Sequence, residues 1–390
     1  MIPVIPENEY LNHVQRLQQK MKESNVDVVL CFANESTYTH VHWLTRYWPL
    51  FEVGGALVGQ TGLPLVLVGG EAPGFAAEGP FGMERVRGCS LFGHTYGGIS
   101  GDWIGITYHD IASLMKEVAN GSEIKRIAIG DMAIIPHGVY AAVAAAIPGA
   151  EVVGFDREMD DLCMNKTAWE ASMVRQACLI SEKGFDATLG KINPEMTEYE
   201  LEGILAGELY KNGGEGPSFP ILSYSGTRTR NAIGRSSHNK LGVNNLITVD
   251  AACHFGGYAA AYARPFVFGK MTDQMKRDVD FLLDVHQKVI NEWVKPGVAA
   301  NEVYEKYFNY FMDHGYGAPP ASASHGIGIF EGESPAFRRT ISTIIKPGMT
   351  IAGDHFLRSK DYGMRFEDVY QITETGTELF TSSKWGYIEL

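Results

Sequence analysis

The sequence has few cysteines, and they follow none of the patterns that make cysteines structural or metal-binding. The five cysteines are scattered along 390 residues, and no two of them form a CxxC pair. An odd number of dispersed cysteines predicts free thiols, not a disulfide framework or a thiolate metal site. We therefore expect a protein of a reducing compartment.

Long apolar runs and basic clusters are absent too. No run of about 18 apolar residues is present, which argues against a membrane span. The formal net charge is -13 without a basic cluster, so nucleic acid is not an expected partner. The first residues, MIPVIPENEY, carry an acidic residue early and lack the apolar segment of a signal peptide. These absences predict a soluble cytoplasmic protein.

The composition is that of an ordinary globular protein, with 45% hydrophobic and 20% charged residues. A chain of this length suits two domains. Strand and helix patterns alternate up to about residue 155, and a long periodic segment follows. We therefore expect an α/β (α+β) protein with an N-terminal α/β domain over 1–156 and a second domain over 157–390.

Apolar periodicity predicts the main elements of both domains. In the first domain it indicates helices over 8–25 and 139–146, and strands near 26–32, 55–59, 63–69 and 127–130. In the second it indicates helices over 158–183, 197–212, 272–294 and 301–314, and strands over 244–250, 349–358 and 363–373. The segment 258–268 is expected to be the hairpin partner of 244–250, joined through Gly256 and Gly257.

Three acidic residues, Asp250, Asp354 and Glu367, lie in otherwise apolar predicted strands. An ionised carboxylate is costly to bury unless a metal ion, a cation or a hydrogen-bond donor meets it. Together with His325, these acids are a candidate cluster for hard-metal binding or acid–base chemistry. Positions at a strand rim or in ordinary ion pairs are the alternative explanation.

His325 begins a His-Gly-Ile-Gly sequence, in which two glycines allow a sharp turn and a close approach of a ligand. A hydrogen-bonded turn histidine is the alternative. The polar segment 225–238 carries arginines, whose forked side chains suit carboxylates, although a solvated loop would look the same. The candidate substrate-binding residues are Arg228, Arg230, Arg235, His238, Glu331 and Glu333.

The order of these motifs resembles the pita-bread family, which includes methionine aminopeptidase, aminopeptidase P, prolidase, creatinase and ectoine hydrolase. The resemblance covers most of residues 160–390, and the N-terminal half resembles the domain that precedes it in the creatinase and prolidase branch. Metal-dependent members have five ligands in the order Asp, Asp, His, Glu, Glu. On this resemblance Asp250, His325 and Glu367 match the first, third and fifth ligands.

Four positions depart from the pattern of the family's peptidases. Ala261 stands where the family has the Asp that bridges two metal ions, and Asp354 stands where it has a Glu. The shorter side chain withdraws the carboxylate by about 1 Å, against a tolerance of about 0.2 Å in metal–ligand distances. Ile233 and Gly332 stand where the peptidases have substrate-binding histidines. The resemblance therefore implies the fold, but not an intact two-metal site.

Our first expectation is a creatinase-like hydrolase that cleaves a C–N bond in a small amide, amidine or cyclic imine. Creatinase acts without metal, so this expectation includes no cofactor, although the histidine and glutamate that creatinase uses are not kept here. His325 and Glu367 would instead transfer protons and orient water. Asp250 and Asp354 would adjust their pKa values.

Two alternatives remain open. One is a metal-dependent Xaa-Pro-type aminopeptidase or dipeptidase with one Mn, Fe or Zn ion on Asp250, His325, Asp354 and Glu367. The other is a non-catalytic ligand-binding protein on the same fold. The resemblance also implies a homodimer, in which residues 46–51 of one subunit would cover the active site of the other. An internal apolar core would explain the aromatic residues of that segment equally well.

Overall fold

The computed structural model describes residues 6–92, 106–320, 322–382 and 385–390. The chain forms two compact units, and the division between them falls after Cys163, a few residues beyond the boundary expected at 156. The first five residues, part of the segment inspected for a signal peptide, lie outside the described ranges. Within those ranges, no helix combines the length and apolarity that a membrane crossing requires.

The N-terminal unit is built around a mixed sheet. Strands β1 to β7 are Val28–Ala33, Gly54–Gly59, Leu65–Val68, Val86–Cys89, Tyr108–His109, Arg126–Ile129 and Glu151–Gly154. Among the described residues they form one sheet in the order β5-β4-β3-β2-β1-β6-β7. The pairs β1–β2 and β2–β3 are antiparallel and the other neighbours are parallel. All six side chains of β1 are buried, as expected for a central strand.

Helices of this unit cover the sheet. Helices α1 to α6 are Glu7–Glu23, Thr39–Thr45, Pro73–Ala76, Ile111–Ala119, His137–Ala146 and Asp156–Met164, with a short 3-10 turn at Met83–Arg85. Apolar side chains of α4 and α5 pack with those of the central strands in one core. The structure confirms the sequence-based helices near 8–25 and 139–146, and it adds α2, α3 and α4, which the periodicity analysis did not predict.

The C-terminal unit is an antiparallel sheet with helices packed against it. Strands β8 to β17 are Leu222–Ser225, Leu246–Asp250, His254–Phe255, Tyr258–Ala259, Ala263–Val267, His325–Gly326, Glu333–Ala336, Thr350–Arg358, Gly363–Ile372 and Thr377–Leu379. The main sheet has the order β14-β13-β15-β16-β12-β9-β8, with β17 added beside β16. The long strands β15 and β16 lie at its centre, paired along nine residues.

Helices α7 to α10 of this unit are Ala168–Leu189, Glu198–Lys211, Asp273–Lys288 and Ala300–Asp313. A 3-10 turn at Gly226–Arg230 follows β8, and a π-helical turn at Val289–Trp293 extends α9. The apolar faces of α9 and α10 form a core with the back of β15 and β16. The predicted helices over 197–212, 272–294 and 301–314 are thereby confirmed in outline.

The single helix predicted over 158–183 is wrong. Helix α6 ends at Met164, and α7 begins at Ala168. The break is enforced by Lys166, whose backbone N–H donates to the carbonyl of Gly348, and by a capping box in which Thr167 and Glu170 satisfy each other's backbone donors. The Thr-x-x-Glu sequence that starts a helix was visible at 167–170 and was missed, because the apolar periodicity continues across it.

The hairpin predicted after Asp250 is only partly correct. Gly256 and Gly257, both at positive φ, form the expected tight turn, but it joins the two short strands β10 and β11. Strand β12 is the segment that returns beside β9, with Ala263 opposite Asp250.

Candidate active site

The sheet register brings the four principal candidates to one place. Asp354 on β15 is paired with Glu367 on β16, and Ala263 on β12 is opposite both Glu367 and Asp250. His325 begins β13, the other neighbour of β15. Side chains on adjacent strands at matched positions point to the same face. The register alone therefore gathers these side chains at the middle of one sheet face.

A cavity of about 790 Å³ opens over this face. Its polar wall includes Asp250, His325 and Asp354, with Glu331 and Glu333 beside them. Its remaining wall is largely apolar and includes Phe219, Pro220, Leu222, Ile233 and Pro320. A concave site with a few convergent polar groups is typical of binding sites for small molecules or short peptides.

Arg365 is the functional candidate that the sequence analysis missed. Its Nη1 donates to Asp250 Oδ2 at 2.7 Å, and its Nε lies 3.1 Å from Asp354 Oδ1. Nη2 of Arg365 also donates to the carbonyl of Ala232, at 2.8 Å, and this third contact fixes the orientation of the guanidinium. Arg365 is two residues before Glu367 on β16, so the period of the strand put both on the site face. That spacing in an apolar strand was the available signal.

Asp250 and Asp354 are consequently paired with a guanidinium. This meets the requirement that a buried carboxylate have a cation or donor, without a metal ion. Burial still raises the pKa of Asp250 to about 7; Arg365 opposes the shift, and the charge of Asp354 adds to it.

His325, Glu331 and Glu367 form a second group within the site. His325 Nε2 lies 3.2 Å from Glu331 Oε1 and 3.7 Å from Glu367 Oε1. The other ring nitrogen, Nδ1, is 3.0 Å from the carbonyl of Gly326, to which it donates in the tautomer that leaves Nε2 free. One ligand atom from each of these three residues can be chosen so that all lie within 4.8 Å of one another.

Glu367 is the most deeply buried acid of the site. It is 1% exposed, and neither carboxylate oxygen has a hydrogen-bond partner among the residues that the structure describes. Burial raises its pKa well above the usual value, and the charges of Asp250 and Asp354 raise it further. Burial lowers the pKa of His325, but Glu331 and Glu367 outweigh it, so that the net shift is well upward. A set of buried groups with such shifted pKa values, here His325 and Glu367 beside Glu331, is suited to proton transfer or to cation binding.

The proposed substrate-binding residues are distributed unevenly. Arg235, Glu331 and Glu333 line the cavity, and Glu333 is also paired with the buried Lys166 at 2.7 Å. The remaining three, Arg228, Arg230 and His238, are not among its lining residues.

Each of those three has a different partner. Arg228 binds the buried carboxylate of Glu198, with Nε 3.1 Å from Oε2. Arg230 donates from Nε to the carbonyl of Ser359, and His238 packs edge-on against Tyr199. The residue types in the polar segment 225–238 therefore did not predict that Arg235 lines the cavity while Arg228, Arg230 and His238 have partners elsewhere.

The positions that depart from the expected peptidase pattern are also located. Ile233 is 81% exposed and Gly332 is exposed, and both line the cavity. Ala261 is fully buried, just before β12. The cavity wall thus lacks imidazoles at 233 and 332. Ala261, which is not among the lining residues, offers a methyl group where the resemblance implies a bridging carboxylate.

Comparison with known proteins gives distant relatives that are peptidases by name. The uncharacterised peptidase YqhT of Bacillus subtilis is 26% identical over 276 residues, which is 70% of this chain and 78% of that protein. The Xaa-Pro dipeptidase of Pyrococcus horikoshii is 25% identical over 66% of this chain and 73% of its own length. The Xaa-Pro aminopeptidase of Escherichia coli is 23% identical over 71% of each.

Solved structures confirm the expected fold. The X-Pro aminopeptidase of Thermotoga maritima superposes with a TM-score of 0.82 over 97% of this chain and 99% of that one, at 20% identity. The prolidase of Pyrococcus horikoshii gives a TM-score of 0.78 over 96% and 99% of the two chains, at 22% identity.

Family comparison covers both units of the chain. Residues 13–164 match the creatinase/prolidase N-terminal domain, and residues 172–374 match metallopeptidase family M24. These matches favour the metal-dependent alternative over the creatinase-like hypothesis, and they do not support the expectation that no cofactor is bound. The chain belongs to metallopeptidase family M24 and has the pita-bread fold of its creatinase, prolidase and aminopeptidase P branch.

Proposed function

We propose that this protein is a metal-assisted hydrolase that cleaves the C–N bond of an amide in a short peptide or a compound of similar size. Relatives with an activity in their names include Xaa-Pro dipeptidases and an Xaa-Pro aminopeptidase, and the cavity of about 790 Å³ is large enough for a few residues of substrate. This broadens the metal-dependent alternative of the sequence analysis, an Xaa-Pro-type peptidase with one ion on Asp250, His325, Asp354 and Glu367, and it is preferred here over the metal-free hypothesis.

The observation that carries the proposal is the environment of Glu367. A buried carboxylate without hydrogen-bond partners is expensive unless a cation is bound beside it. His325 presents Nε2 on one side, and the other acids of the site add negative charge. Nitrogen and carboxylate oxygen donors of this kind fit Mn²⁺, Fe²⁺ or Zn²⁺.

His325 and Glu367 would hold the ion, which when bound supplies a Lewis acid for the amide carbonyl and for water. The protein's own groups would do the rest. Arg365 carries one positive charge between Asp250 and Asp354, which lessens the repulsion between these acids and an anionic substrate. Arg235 at the cavity wall would bind a substrate carboxylate, and the apolar wall would exclude water around the scissile bond.

A second candidate is the creatinase-like reaction without metal, and Arg365 is the observation that favours it. The guanidinium already supplies a cation to Asp250 and Asp354, two positions that the resemblance assigns to metal ligands. In this mechanism His325 and Glu367 exchange the proton of an attacking water, and the raised pKa of Glu367 keeps it able to donate near neutral pH.

Metal content and substrate range separate the two candidates. The protein purified without chelator would be analysed for Mn, Fe and Zn, and its melting temperature measured with and without EDTA. We expect about one ion per chain, destabilisation by EDTA and metal-dependent hydrolysis of at least one member of a dipeptide and tripeptide panel.

Absence of any bound or bindable ion, with turnover of small amides, amidines or cyclic imines, would overturn the metal proposal in favour of the creatinase-like reaction. If the protein bound no metal ion and turned over no member of either panel, the non-catalytic ligand-binding alternative would be favoured.

A further inference from the structure

Only two of the ligands implied by the family resemblance remain available for an ion. Ala261 offers no ligand atom, and Asp250 and Asp354 face the guanidinium of Arg365. This leaves His325 and Glu367. Catalytic sites for ions such as Zn²⁺ usually have three protein ligands, so a site with these two alone would be incomplete.

Glu331 is positioned to complete it. The segment after His325 folds back sharply because glycines allow close contacts: a Cβ on Gly326 would lie 2.1 Å from the carbonyl oxygen of Ser334, and one on Gly328 would lie 2.5 Å from Glu333 Oε2. The turn brings Glu331, six residues after His325, back to within 3.2 Å of His325 Nε2. A side chain from this loop thereby reaches the site that the strands define.

The spacing of the donors suits a single ion. Two ligand atoms, each about 2.1 Å from an ion at tetrahedral angles, lie roughly 3.4 Å apart. The observed separations from His325 Nε2, 3.2 Å to Glu331 and 3.7 Å to Glu367, lie on either side of that value. Glu367 is 1% exposed, and within the described part of the chain its oxygens have no hydrogen-bond partner, which indicates, independently of the clustering of acids, that the site is built for a cation.

We propose that Glu331 replaces the carboxylate missing at Ala261, and that His325, Glu331 and Glu367 bind one divalent cation while Arg365 takes the place of a second positive charge between Asp250 and Asp354. This inference rests on the metal-assisted function proposed above and assigns its ligands. It gives the site a mononuclear His-Glu-Glu ligand set.

An ordinary ion pair between His325 and Glu331 is the competing explanation, and it predicts a different response to metal. In that case Glu331 serves to hold a protonated imidazole, and its carboxylate is not needed for an ion bound elsewhere in the site. Metal affinity, measured without substrate, therefore separates the explanations without any assumption about the reaction.

The test uses Co²⁺ as probe, because its visible absorption reports both binding and coordination geometry. Metal-free full-length protein would be titrated with Co²⁺, and wild type compared with Glu331→Gln, Glu331→Asp and Glu374→Gln. Glu374 is an exposed acid in the turn before β17 and serves as the charge-matched control. Melting temperatures of the metal-free proteins would show whether each variant is folded.

We expect wild type and Glu374→Gln to bind one Co²⁺ per chain with the same affinity. Glu331→Gln should weaken Co²⁺ binding by roughly 100-fold. Loss of a group that only orients a ligand typically costs about 10- to 100-fold in affinity, and loss of a ligand itself should have an effect at least at the upper end of that range. Glu331→Asp, which keeps a carboxylate and serves as the second variant if Glu331→Gln is unfolded, should retain weakened binding with an altered absorption spectrum.

Equal affinity in wild type and Glu331→Gln would overturn this inference and leave the metal-assisted function standing. Failure of wild type to bind Co²⁺ would overturn both.

Discussion

At the scale of single residues, the site is defined by ion pairs between buried or partly buried side chains. Arg365 compensates Asp250 and Asp354, and His325 lies against Glu331 and Glu367. Removing one member of such a buried set leaves the others uncompensated, which costs more than the pair contributes when intact. Variants at these positions are therefore informative about stability as well as about function.

Replacement of Arg365 by methionine should destabilise the C-terminal unit by about 3–5 kcal/mol, because the buried Asp250 and the partly buried Asp354 lose their cation. Chemical denaturation followed by circular dichroism measures this change. The matched control is Arg358→Met at the exposed end of β15, for which we expect a change within about 0.5 kcal/mol. Equal effects of both substitutions would show that Arg365 does not carry the charge balance assigned to it.

A second residue-scale prediction concerns His40 in the N-terminal unit. Its Nδ1 lies 2.8 Å from Asp131 Oδ1, and its Nε2 lies 3.4 Å from Asp160. Burial lowers the pKa of His40, but the two carboxylates outweigh burial and raise it to about 10. Because the folded-state pKa lies above the unfolded value, the stabilisation is complete below about pH 6.5 and is lost as the pH rises towards 10.

We therefore expect His40→Gln to destabilise the N-terminal unit by about 2 kcal/mol at pH 6 and by much less at pH 10. The exposed His137, replaced by Gln, is the control and should show no such pH dependence. Denaturation curves at the two pH values provide the measurement. A loss of stability independent of pH would mean that His40 contributes by packing and not through its charge.

At the scale of elements, α9 is joined to the back of the central strands by a buried polar network. Asp368, next to Glu367 but on the opposite face of β16, accepts from Arg264 Nη2 at 2.7 Å and lies 2.9 Å from His286 Nε2 on α9. His286 in turn contacts His355, the neighbour of Asp354 on β15. The helix thus braces both site-bearing strands at the residues adjacent to Asp354 and Glu367.

Asp368→Asn should lower the free energy of unfolding by about 3–5 kcal/mol, because the fully buried Arg264 loses its counter-charge. Urea denaturation checks this. As a comparison within the same unit, Glu389→Gln removes the partner of the exposed Lys270, and we expect a change of no more than about 1 kcal/mol. A small effect of Asp368→Asn would show that the network is not what holds α9 to the sheet.

At the scale of the whole molecule, the family resemblance implies a homodimer, and the N-terminal unit has an exposed apolar segment suited to an interface. Leu50 and Phe51 are 50% and 62% exposed, and Phe51 has a positive φ of 61°. A large apolar side chain held outward in a backbone conformation that such residues rarely adopt is a candidate contact point.

We predict a dimer by light scattering after size exclusion, and a roughly tenfold or greater rise in the dimer dissociation constant for Phe51→Ser. Phe75→Ser, which changes another exposed aromatic residue of the same unit, is the comparison. A monomeric wild type would contradict the predicted homodimer. Equal effects of the two substitutions would show that residues 50 and 51 have no specific role in the interface.

The sequence by itself determined the two-domain organisation, the family, and which strands carry Asp250, Asp354 and Glu367. These follow from apolar periodicity and from motif order, which are local properties of the chain. The same information singled out His325 before a glycine-rich turn, although the structure places His325 itself at the start of β13. Periodicity did not reveal the break in the helix predicted over 158–183, because the apolar pattern continues across it. The break depends on a tertiary contact between Lys166 and Gly348, which a local pattern does not contain.

Only the tertiary structure decided which charges meet. Strand register put Arg365 between Asp250 and Asp354, and a tight glycine turn returned Glu331 to His325. Conversely, Arg228 and His238 have the residue types of a substrate site, yet they contact Glu198 and Tyr199 of α8 and do not line the cavity. Cross-strand pairing and loop closure join residues distant in sequence, and the electrostatic partners that they create depend on distances of a few ångströms that no local pattern encodes.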